Sequence, residues 1–92
     1  MIRRVVISTG AKKDLRKIPE HMVRLLQDWV EDVEDRGLAQ VRRIPGYHDE
    51  PLRGDRAGQR SIRLTRACRA FYRIVNERVI FVLVEEVNKH DY

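Results

Sequence analysis

The chain has 92 residues, 42% apolar and 36% charged, with a net charge of +5. That length holds one domain, residues 1–92, and the recurring Val, Ile and Leu exclude a disordered tail. The longest apolar run, residues 79–84, is far short of the roughly 20 residues that cross a bilayer, and residues 5–7 are too few for the apolar region of a signal peptide. One cysteine, Cys68, excludes an internal disulfide, and three histidines are a poor basis for a zinc site. The expectation is a cytoplasmic protein without membrane, metal or cofactor.

Residues 2–7 are β-branched and short, as a strand requires. Ser8 and Thr9 then offer N-cap hydroxyls to a first helix, in which Ala11, Leu15 and Ile18 recur at helical spacing. Pro19 ends it, because the residue before a proline is pushed out of the α region. A second helix begins at Glu20 with Met22, Leu26, Trp29, Val30 and Val33 on one stripe, and Gly37 marks its end. Trp29 falls among these apolar residues and reads as core. Residues 38–58 are punctuated by Pro45, Gly46, Pro51, Gly54 and Gly58 and read as a long irregular loop. Three strand-like runs follow, at residues 60–65, 69–75 and from 78 to about 89. The last is apolar on both faces and therefore central. The order β-α-α-β-β-β predicts an α+β fold, a twisted antiparallel sheet with a helical hairpin packed on one face.

The positive charge is concentrated. Between residues 42 and 73 there are nine arginines and no lysine, against only Asp49, Glu50 and Asp55. Arginine supplies a planar fork for phosphate oxygens and a flat face for stacking on bases, so this stretch points to a nucleic-acid partner. Arg69 and Arg73 share one face of their strand, with the helices expected on the other. Glu50 lies in the loop ahead of the second strand, and the chain's last run ends in His90, Asp91 and Tyr92. Carboxylate, guanidinium, imidazole and phenol are the groups a metal-free ribonuclease uses. A base takes the proton of a ribose 2′-hydroxyl, cations hold the phosphorane, and an acid protonates the departing 5′-oxygen. No glycine-rich phosphate loop competes with this reading, and Cys68 sits at a strand start as a space-filling residue.

Glu50-Pro51-Leu52-Arg53-Gly54, then Gly58 through Leu64, Cys68 through Ile74, and the terminal His90-Asp91-Tyr92 together resemble the RelE/ParE superfamily of bacterial toxins, particularly its YoeB-like and HigB-like members. The resemblance implies a RelE-like microbial RNase fold. It also implies a ribosome-dependent mRNA interferase that cuts mRNA in the 30S A site, leaves a 2′,3′-cyclic phosphate and is silenced by a cognate antitoxin protein. Carried over by position, Glu50 matches the general base and Arg69 the arginine that stabilises the scissile phosphate. His90 and Tyr92 match the pair that supplies the general acid. Asp91 separates these two, and which one donates the proton stays open. Arg63 and Arg73 are expected as supporting phosphate contacts. Charge alone adds Arg53, Arg56 and Arg60 as contacts to ribosomal RNA. Two alternatives are a ParE-like inhibitor of DNA gyrase and an inactive module that binds RNA or a partner.

Overall fold

The computed structural model describes residues 1–86. The elements run β1 (Arg4–Ile7), α1 (Thr9–Leu15), α2 (Glu20–Arg36), α3 (Leu38–Val41), β2 (Glu50–Pro51), β3 (Gln59–Thr65), β4 (Cys68–Val75) and β5 (Arg78–Glu86), with 3-10 turns at Pro45–Tyr47 and Gly54–Arg56. The α+β class and the β-α-α-β-β-β order are as the sequence indicates. The five strands lie in the order β1-β5-β4-β3-β2.

One pairing departs from the antiparallel expectation. The strands β2 to β5 pair antiparallel in succession, but β1 runs parallel to β5, with Val5 beside Val79 and Val6 beside Ile80. Strands joined by tight connections must alternate in direction. The chain leaves β1 through helices, so that constraint does not reach it. The sheet is therefore mixed, with β5 between β1 and β4.

Ser8 caps α1 through its Oγ, which accepts from the Ala11 N–H at 3.1 Å. The helix stops at Leu15 rather than reaching Ile18. The Arg16 and Lys17 N–H groups turn back to the carbonyls of Lys13 and Asp14, and Ile18 precedes a proline. In α2, Met22, Leu26, Trp29 and Val33 are buried, one stripe at helical spacing. Gly37 closes this helix at φ 89°, donating to the Val33 carbonyl at 2.8 Å. That conformation calls for glycine; a Cβ there would meet the exposed, movable Met1 side chain at 2.9 Å from its Cγ.

Residues 38–58 contain more order than their sequence suggests. Leu38 and Val41 are buried on the single turn of α3, and Leu38 donates to the Ile2 carbonyl at 2.8 Å. One helical turn is too short for periodicity to register.

The core lies between the helices and one sheet face. Ile62, Leu64, Cys68, Ala70, Tyr72, Val79, Phe81 and Val84 meet Ala11 and the stripe of α2. Trp29, Tyr72 and Phe81 pack as a triangle of tilted rings with centroids 5.3–5.6 Å apart. Phe71 pairs with Leu83 and Tyr72 with Phe81, so Val82 is an extra residue in β5. This bulge lets Phe81 and Val84 both face the core. The Val84 N–H is satisfied by Asp14 Oδ2 of α1 at 3.0 Å. Burial, with the charges of Glu86 and Glu85, pushes the Cys68 thiol up to about 11, which leaves it protonated and inert. Among the described residues, no helix is long and apolar enough to cross a membrane.

Candidate active site

The helices leave the other sheet face bare, and strand register sorts its side chains into rows. Glu50 stands opposite Ser61, which stands opposite Phe71, which stands opposite Leu83. In an antiparallel sheet such partners share a face, so one row runs from the Glu50 carboxylate to the centre of the sheet. The row on one side holds Arg63, Arg69 and Glu85, and the row on the other holds Gln59, Arg73 and Ile80. Glu50, Arg63, Arg69 and Arg73 thus lie on the sheet face away from the helices, around the buried Ser61 and Phe71. Arg69 and Arg73 are four residues apart, roughly 13 Å along the strand. They flank the Glu50–Phe71 row rather than converge on a single point. Neither forms an ion pair among the described residues.

Arg56 joins this face from the turn at Gly54–Arg56, its guanidinium carbon 4.3 Å from the centre of the Phe71 ring. Arg53 is exposed just ahead of that turn. His90 and Tyr92 lie outside the described residues.

Arg60 is placed differently from the expectation. It pairs across the sheet with Tyr72 and Pro51, on the helix side, and its Nε donates to Asp49 Oδ1 at 2.5 Å. The Tyr72 hydroxyl donates to the other oxygen, Oδ2, at 2.6 Å. The Asp49 side chain is fully buried. Burial works against the Arg60 charge, but the hydrogen bond and charge of Asp49 outweigh it and hold the guanidinium above its usual range. Burial, then the bond to Asp49, pushes the Tyr72 phenol up as well. Charge counting could not separate Arg60 from Arg63, whereas strand alternation from Ile62 and Leu64 does: Arg60 shares their face.

Sequence reasoning passed over two residues beside Glu50. Asp49 is the inward anchor just described. His48 lies on the outward side, its Nε2 3.2 Å from a terminal nitrogen of Arg63. Asp49 and Glu50 point to opposite sides, whereas His48 reaches the outward side from a left-handed turn conformation that no local periodicity marks. Tyr47 ties the same segment to α2, its hydroxyl donating to Asp32 Oδ2 at 2.7 Å; burial and that bond push its phenol up.

A carboxylate, several guanidiniums and an imidazole on one solvent-facing surface can move a proton and neutralise a phosphate. Among the described residues, no cluster of His, Cys, Asp or Glu is placed to hold a metal ion.

No family's sequence profile and no curated protein matches the chain. Solved structures do. The chain resembles YafQ from Escherichia coli BL21(DE3) with a TM-score of 0.74 at 16% identity, over 92% of this chain and 93% of that one. It is similar to a chain of the RelBE2 toxin–antitoxin complex from Mycobacterium tuberculosis, with a TM-score of 0.61, 28% identity and coverage of 94% and 99%. For a YoeB/ParE toxin from Agrobacterium tumefaciens the TM-score is 0.66 at 23% identity, covering 90% and 96%. The chain thus has the fold of the RelE/YoeB-like toxins.

Proposed function

We infer that this protein is the toxin of a toxin–antitoxin pair and acts as a metal-independent endoribonuclease on mRNA in the ribosomal A site. The observation that carries the reading is the placement of Glu50, Arg63, Arg69 and Arg73 on the one sheet face the helices leave bare. Glu50 takes the proton from a ribose 2′-hydroxyl, and the 2′-oxygen attacks the adjacent phosphorus. Arg69, with Arg63 and Arg73 in the flanking rows, neutralises the charge that builds on the phosphorane oxygens. The bond to the 5′-oxygen breaks, a 2′,3′-cyclic phosphate is left, and a general acid supplies the proton to the leaving oxygen. His90 and Tyr92 are the residues assigned to that last step by resemblance.

The face that binds RNA is the one an antitoxin must deny to it. An acidic segment laid across the arginine rows would satisfy them and exclude mRNA, and the RelBE2 complex is a relative in which toxin and antitoxin are found together.

The test is cleavage of a defined mRNA on programmed 70S ribosomes, with 5′ ends mapped by primer extension and the same RNA run without ribosomes. Cutting at the A-site codon only on ribosomes, and a loss of at least a hundredfold in Glu50→Gln, is the expected result. Growth arrest without any cleavage would overturn the nuclease reading in favour of a gyrase inhibitor.

A further inference from the structure

His48 closes the turn at Pro45–Tyr47, two residues ahead of Glu50, and lies beside Arg63 of β3. The side chains meet there, with His48 Nε2 3.2 Å from Arg63 Nη1. A guanidinium has donors and no lone pair to offer. For the contact to be a hydrogen bond Nε2 must accept, which calls for the tautomer with its proton on Nδ1.

The turn fixes the backbone from which His48 makes this contact. His48 has φ 48° and ψ 49°, the left-handed region, which costs a side-chain-bearing residue about 1 kcal/mol. Its N–H is held by the Pro45 carbonyl at 3.1 Å. The side chain is exposed, so packing does not repay that conformation; glycine or asparagine would sit there more easily.

Arg63, in turn, needs the contact. It stands directly opposite Arg69, and like charges at facing positions of an antiparallel pair repel. The imidazole lone pair gives Arg63 a fixed place on the side away from Arg69, leaving its remaining N–H groups free for a phosphate. The other charged groups around this pair are Glu50, two residues on in the same segment, and Arg69 from β4. Asp49 is turned inward, and the turn at Pro45–Tyr47 brings no formal charge.

We propose that His48 is a positioning residue: it holds Arg63 in the row beside Glu50, so that the substrate phosphate meets two guanidiniums already set apart. The proposal rests on the nuclease reading of this face and adds a residue to it that neither resemblance nor composition singles out.

The experiment is single-turnover cleavage on programmed ribosomes by wild type, His48→Leu, His48→Gln, Arg63→Ala and the His48→Leu/Arg63→Ala double variant. Thermal melting is followed alongside. His48→Leu removes the acceptor and should slow the bound-state rate about tenfold, while half-saturation changes less and the melting temperature stays within a few degrees. Glutamine places an amide oxygen near the former Nε2 and should restore the rate to within about threefold of wild type. In the Arg63→Ala background, His48→Leu should have no further effect, because the residue it positions is gone. A His48→Leu variant as fast as wild type overturns the proposal and leaves the nuclease reading intact. So does an undiminished effect of His48→Leu without Arg63. Wild type that does not cleave at all overturns both, and does so through the wild-type arm alone.

Discussion

The two faces of this sheet are made by the same strands and behave as different materials. On the helix side, β3, β4 and β5 present Ile62, Leu64, Cys68, Ala70, Tyr72, Val79, Phe81 and Val84, all buried. On the other side the same strands present Arg63, Arg69 and Arg73 around a short row of Ser61, Phe71 and Leu83. The contrast is sharpest in adjacent residues. Asp49 and Glu50 carry the same charge one bond apart, yet Asp49 is sealed between Arg60 and Tyr72 while Glu50 is exposed. Strand alternation alone turns one carboxylate into the interior and the other to solvent.

The largest expected effect tests that division directly. Asp49→Ala leaves Arg60 without its partner and the Tyr72 hydroxyl without an acceptor in a buried setting. It should cost about 3 kcal/mol, the loss expected on breaking a buried ion pair. Glu50→Ala, on the open face, should change stability by no more than about 0.5 kcal/mol. Urea denaturation of the two variants decides the matter, and equal losses would erase the distinction between the faces.

Tyr72→Phe gives a smaller change with a pH signature. At neutral pH it should cost about 2 kcal/mol, the loss of a hydrogen bond to a buried carboxylate. The alkaline side goes the other way. Burial and Asp49 hold the Tyr72 proton in the folded state beyond the pH at which an unfolded tyrosine loses it. Its stabilising contribution is therefore complete below about pH 10 and is lost above it at about 1.4 kcal/mol per pH unit. Phenylalanine removes that slope. Tyr47, raised by burial and by Asp32, keeps its own, so stability measured above pH 11 should fall about half as steeply in the variant as in wild type. An unchanged slope would mean that Tyr72 does not retain its proton.

What could be read in the sequence was whatever repeats. The stripe of α2, the alternation of β3 and β4 and the doubly apolar β5 gave the class and the order of elements, and with them the bare face that holds Arg69 and Arg73. What did not repeat was lost. The parallel pairing of β1 depends on contacts between residues more than 70 apart, which no local pattern encodes. The single turn of α3 and the two residues of β2 are too short to show a period. Because β2 was hidden, so was the alternation that separates Asp49 from Glu50, and the left-handed turn that sets His48 beside Arg63 has no period to show. Arg60 was grouped with the open-face arginines on charge alone, although the alternation of β3 sets it on the face of Ile62 and Leu64.

The finest test concerns what the open face offers besides charge. Arg56 lies over Phe71 and nearly closes the ring off from solvent, leaving Phe71 6% exposed. A guanidinium set over an aromatic ring can offer its outer face to a nucleobase, and nucleobases stack on guanidinium planes. Arg56→Lys retains the charge and discards the plane, and the loss of stability should stay near the 0.5–1 kcal/mol roughly assigned to an exposed cation–π contact. Binding of a short single-stranded RNA, measured across a range of salt concentrations, separates the two contributions. Arg56→Ala should lower the slope of log affinity against log salt by about 0.7, the share of one phosphate contact on a single strand. Arg56→Lys should leave that slope unchanged and weaken binding severalfold at every salt concentration, since only the stacking surface is gone. If Arg56→Lys binds as wild type does, the contact with Phe71 serves only to park a charge. The open face would then read RNA through its phosphates alone, a cruder surface than the packed one behind it.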